Sequence, residues 1–121
     1  MAWFAAHAVF YFEAKDGIQD SYSVWENVYL IDASDGDAAS ELAATRARAV
    51  EGDSEGTLVW KDRPSTLRFV GIRKLISVSH ERNDGLIAHG DEITYSEFEL
   101  TDRESLDRLV NGDGVALRYV E

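Results

Sequence analysis

The chain has no cysteine, a single proline and a single methionine among its 121 residues. Without cysteine there can be no disulfide, so a small stapled extracellular scaffold is excluded and a reducing compartment fits. No apolar run approaches the ~20 residues of a membrane span. The opening Met1-Ala2-Trp3-Phe4 lacks the basic stretch of a secretory leader, and the first acid arrives at Glu13. The expectation is a cytoplasmic protein without membrane association. Positive charge is the other shortage. Twelve Lys and Arg against twenty-three acids leave a net of −11, beyond the magnitude of roughly 2–8 that keeps a small domain in solution. Such a surface repels nucleic acid and attracts basic partners. A phosphate-cradling glycine loop, a nucleophile elbow and a dinucleotide fingerprint are also missing.

What is present reads as one α+β domain over residues 1–121, with 45% apolar residues to supply its core. Residues 3–13 alternate with period two. Phe4, Ala6, Ala8, Phe10 and Phe12 share one face, and Trp3, Ala5, His7, Val9, Tyr11 and Glu13 the other. This is a strand whose phenylalanine face turns to the core. Lys15-Asp16-Gly17 is turn chemistry, and residues 21–32 resume as a second strand, making a long hairpin. Ser34 with Asp37 forms a capping-box pattern. It opens a helix with Ala39, Leu42, Ala43, Ala47 and Val50 at helical spacing and Gly52 as its stop. Strands return at Thr57–Trp60 and from about Thr66 to Ser79, with Pro64 in the turn between them. Gly71 in the second of these suggests a bulge or bend. Residues 80–91 read as a loop or ragged hairpin and Glu92–Leu100 as a strand. Thr101 with Glu104 caps a short helix with Leu106, Leu109 and Val110 inward, and Val115–Val120 is a last strand. The layout predicts two layers: a mainly antiparallel sheet of about six strands with two helices packed on one face.

Several local patterns carry a family likeness. They are Trp3-Phe4 with Phe12-Glu13, the run Val24-Trp25-Glu26-Asn27-Val28-Tyr29-Leu30-Ile31-Asp32-Ala33, Gly56 to Trp60, Leu67-Arg68-Phe69-Val70-Gly71-Ile72 leading to Leu75, and Glu92-Ile93-Thr94-Tyr95-Ser96. Over about residues 3–100 the chain resembles an uncharacterised bacterial family of small α+β domains, a domain of unknown function. Residues 101–121 look like a C-terminal addition. The resemblance implies a fold and a bacterial setting, and carries no activity.

Candidate chemistry competes with plainer readings. His7, with Trp3 and Tyr11 on its strand face, could form a stacking or acid–base site, or be an ordinary half-buried strand histidine. His80 and His89 flank a glycine-rich loop with Asp84, but their spacing fits no standard zinc pattern. Asp32, Asp35 and Asp37 fail the calcium-loop spacing and are explained by helix capping. Glu97 and Glu99 share a strand face with Tyr95, roughly 7 Å apart, which suits paired-carboxylate hydrolysis and equally a solvated face. No cofactor or metal is called for.

Charge distribution says more. Residues 46–82 hold eight bases and five acids, a local +3. The rest holds four bases and eighteen acids, a local −14. Acids with nearby aromatics are the makings of an interface with a basic protein, where charge steers encounter and rings anchor. The residues expected to form it are Trp25, Glu26, Asp84, Asp91, Glu92, Tyr95, Glu97 and Glu99. The leading expectation is a non-enzymatic immunity protein or antitoxin, monomeric or homodimeric, that occludes a basic toxin such as a nuclease. It resembles immunity proteins of contact-dependent growth inhibition systems in size and charge. One alternative is a small-ligand binder or hydrolytic enzyme using a Trp3/His7/Tyr11/Trp25 sheet face. Another is a structural subunit self-associating through an open sheet edge.

Overall fold

The computed structural model describes residues 2–78 and 86–120. It is an α+β fold: a four-stranded antiparallel sheet carrying one helix, followed by a second helix and a two-stranded hairpin. In chain order the elements are β1 (Ala2–Ala14), β2 (Val24–Ala33), α1 (Gly36–Arg48), β3 (Val59–Trp60), β4 (Arg63–Ser77), β5 (Glu97–Glu99), α2 (Arg103–Asn111) and β6 (Arg118–Val120). The sheet order is β2-β1-β4-β3, and β5 pairs with β6.

The period-two reading of the first strand holds. Phe4, Ala6, Ala8, Phe10 and Phe12 are all buried beneath α1, whose Ala39, Ala43 and Ala47 are fully buried against the sheet. A stripe of methyl groups lets the helix axis approach closely, so burial is achieved with small side chains on the helix and large ones on β1. Ile31 and Ala33 of β2 and Leu67 of β4 complete the core. Leu42, placed by its spacing on the same stripe, is 51% exposed.

Both helices begin one residue later than the capping-box patterns imply. Asp35 accepts from the Ala38 amide and Asp102 from the Ser105 amide, each at 2.8 Å. A carboxylate is a stronger acceptor than the preceding hydroxyl and favours the positive end of the helix dipole. Only α1 supplies the helical layer. No residue of α2 is buried, and Leu106 and Val110, expected inward, are 42% and 77% exposed. The reason is geometric: α1 already occupies the phenylalanine face across β1, β2 and β4.

Several strand boundaries differ from expectation. The turn before β4 is Lys61-Asp62, both at positive φ, a tight two-residue hairpin. Pro64 lies inside β4 opposite Val59. The strand expected over 92–100 shrinks to Glu97–Glu99, and the last strand to Arg118–Val120. Gly71 does mark an irregularity. Two bulges in β4 insert Val70 and Arg73 as extra residues in its register with β1.

Candidate functional site

The face of the sheet away from α1 carries a polar network built on the buried His7. Pairing of β1 with β2 sets Glu26 opposite Val9 and Val28 opposite His7, so Glu26 projects on the His7 side. Pairing of β1 with β4 sets Lys74 opposite His7. The bulge that follows inserts Arg73 as an extra residue, which turns its guanidinium to this same face. Thr94 reaches the site from the segment before β5.

The geometry is tight. His7 is only 2% exposed. Its Nδ1 lies 2.7 Å from Glu26 Oε1 and its Nε2 2.5 Å from Thr94 Oγ1. Since a carboxylate can only accept, Nδ1 carries a proton, and Nε2 meets the threonine hydroxyl. Arg73 forks onto Glu26 through Nε (2.5 Å) and a terminal nitrogen (3.0 Å). The guanidinium, with help from His7, holds the Glu26 carboxyl down at about 2, against the opposing effect of burial. Arg73 also sits over the Tyr119 ring at 4.4 Å, tying β6 to the sheet. Lys74 lies over the Tyr95 ring at 4.6 Å and donates to the Tyr95 carbonyl. A hydroxyl, an imidazole and a carboxylate are thus aligned as in a nucleophile–base–orienter chain, and the same bonds also clamp the 94–119 region onto the sheet.

The expected site residues do not converge. Trp25 pairs across from Phe10, which places it on the phenylalanine face. There it packs edge-on against Phe12 (4.9 Å) and Trp60 (5.3 Å). A ligand face combining Trp3, His7, Tyr11 and Trp25 is therefore corrected: period two puts Trp25 opposite in sense to the other three. Glu26 is exposed at the surface and pairs there with His7 and Arg73. Asp91 accepts from the Ala88 amide at 2.8 Å. Glu92 and Tyr95 are exposed and lie outside the named strands. Glu97 and Glu99 flank Phe98 on the exposed side of β5, and Glu99 pairs with Arg118 at 2.8 Å. Asp84 and His80 lie outside the described residues, and no cluster of metal-ligating side chains occurs among those described.

A second feature is aromatic. Trp60 stacks flat on Phe12 at 4.1 Å, and with Trp25, Val50, Leu58 and Leu67 it lines an open groove of about 510 Å³. The Trp60 indole Nε1 is buried without an acceptor among the described residues.

Three of the eight bases of the 46–82 stretch form ion pairs with acids of the first hairpin. Arg63 pairs with Asp16 (2.7 Å), Arg68 with Glu13 (3.2 Å) and Arg73 with Glu26. Asp16 and Glu13 are held below the usual carboxylate range by these hydrogen bonds, Glu13 chiefly by the Tyr11 hydroxyl. The local +3 is thereby spent on the acids of the first hairpin.

Against known proteins, the family model described as "Domain of unknown function (DUF4288)" matches residues 3–95, and the chain belongs to that family. Neither a curated protein nor a solved structure matches it. No helix among the described residues is long and apolar enough to cross a membrane.

Proposed function

We propose that this member of the DUF4288 family is an acidic, non-enzymatic binding protein that occludes a basic partner, as an immunity protein or antitoxin occludes a nuclease toxin. The observation that carries the reading is the distribution of charge once internal pairs are counted. Residues 16–45 contain seven acids and no Lys or Arg, and they form β2 and most of α1. Residues 91–113 add eight acids against two bases. Arg63, Arg73, Arg118 and Arg103 pair with Asp16, Glu26, Glu99 and Asp107 of these segments, and the acids still far outnumber those pairs. A surface of this kind accelerates encounter with a basic protein and rejects nucleic acid. The experiment is a binding titration against the polypeptide encoded beside this gene, at two salt concentrations, with that partner's activity followed in parallel. Tight, salt-sensitive binding that abolishes the activity is expected, with no shift of DNA or RNA at physiological salt. Absence of binding to a basic neighbour, or a clear nucleic-acid shift, overturns the reading.

A hydrolytic reading has one specific observation in its favour, the Thr94–His7–Glu26 alignment at 2.5 and 2.7 Å. Were Thr94 a nucleophile, an organophosphonate ester probe would form a covalent adduct at Thr94 Oγ1, seen by mass, and Thr94→Val would abolish it. No adduct on the folded protein assigns the alignment a structural role only.

A further inference from the structure

We propose that the open edge of the sheet along β2 accepts an extended basic segment of the partner as an added strand. This rests on the acidic-binder reading and names its surface. The strand is ten residues long, with β1 on one side and no described strand on the other. The opposite edge, β3, is only two residues long. Sheet edges are ordinarily blunted by lysine, proline or a bulge. Val24–Ala33 contains no Lys, Arg or Pro. Its register with β1 runs unbroken from Ala2–Ala33 to Tyr11–Val24, both bulges falling in β4. Glu26, the third residue of the strand, is neutralised by Arg73.

The side chains flanking that edge fit such an occupant. Val24, Val28 and Leu30 stand on one face at 55%, 42% and 46% exposure. Across the edge, on the α1 side, an open groove of about 520 Å³ is lined by Leu30, Ile31, Asp32, Leu42 and Arg46. An arriving strand would place alternate apolar side chains alongside Val24, Val28 and Leu30, its other residues pointing toward the α1 side. Charge selects among occupants. The edge belongs to the base-free segment 16–45, so Lys and Arg on the incoming strand complement Asp20, Asp32, Asp35 and Asp37. A second copy of this chain would instead bring two such acidic segments together.

The probe is a synthetic peptide of roughly ten residues alternating Lys and Val, a length that matches an edge strand. Two controls accompany it: the same peptide N-methylated at alternate residues, and an all-Lys peptide of equal charge. The expected result is binding of the alternating peptide about tenfold or more above both controls. Amides of β2 should gain hydrogen-exchange protection on the unmodified protein. The Val24→Lys, Val28→Lys double variant should lose about tenfold in affinity, while its far-UV spectrum stays unchanged. Equal binding by the N-methylated peptide, or protection appearing elsewhere than β2, overturns strand addition. So does a concentration-dependent dimer that the double variant abolishes, since the edge would then serve a second copy. If a cognate basic protein binds the double variant as well as the parent, the edge is overturned and the acidic-binder reading stands. If it binds neither, that reading itself has failed.

Discussion

Replacing Phe10 with alanine is expected to destabilise the fold by about 3–5 kcal/mol, the usual cost of emptying a buried phenylalanine site. Among the described residues Phe10 is the largest side chain with no solvent exposure, and its ring lies 5.7 Å from that of Phe69. It shares a cluster with Ala8, Phe12, Ala47 and Leu67. The facing helix offers only alanine methyls there, so it has no longer side chain to fill the cavity. Loss of the ring also removes one of the few large apolar surfaces in a core otherwise rich in alanine. A domain of this size holds about 5–15 kcal/mol in total, and the melting temperature should fall by on the order of 10–20 °C. Thermal and urea unfolding of Phe10→Ala measure this. Val70→Ala, at a position 64% exposed beside a bulge, is the control and should stay within about 0.5 kcal/mol. A small shift for Phe10→Ala would mean that α1 does not seal the phenylalanine face.

That face was readable because its chemistry is local and periodic. Five residues of one strand alternate with neighbours of a different kind, and an alanine stripe at spacing four announces a helix that packs close. Helix starts were displaced by a single residue, since Ser34-Asp35 and Thr101-Asp102 each offer two adjacent caps and the aspartate prevails. Signals failed where geometry depends on distant pairing. His7 looked like an ordinary strand histidine because its partners lie 19 and 87 residues away. Arg73 faces Glu26 only because a bulge adds a residue to β4, and no residue type marks that position. Gly71 hinted at an irregularity without saying which side chain it would redirect. Trp25 and its acidic neighbour Glu26 do not form a single surface. Adjacent residues on a strand point to opposite faces, so Trp25 and Glu26 cannot share one.

The His7 network supplies the second large effect, and its sign follows from Glu26. The folded carboxyl sits at about 2 where the free group has 4.5, first because Arg73 donates to it and then because His7 does. A depressed carboxylate contributes stability that is present above its unfolded pKa and is lost as pH falls through the folded one. The window is therefore from about pH 4.5 down to about pH 2. Glu26→Gln keeps the shape of the side chain and removes its charge, so the contacts that Arg73 and His7 make to it lose their ionic part. At pH 7 the variant should be less stable by about 1–2 kcal/mol, a figure discounted for the partial exposure of the pair. The gap to the parent should narrow as the pH approaches 3. Glu13, Asp16, Asp53 and Asp102 also carry lowered pKa values. They act equally in both proteins and cancel in the difference. Because Arg73 bridges to Tyr119, the variant should also lose hydrogen-exchange protection at Phe98 and Tyr119, where β5 pairs with β6. Paired urea titrations across pH 3–7 make the measurement. A stability gap that stays constant with pH would show that Glu26 acts through packing, and that its charge holds neither the histidine nor the hairpin in place.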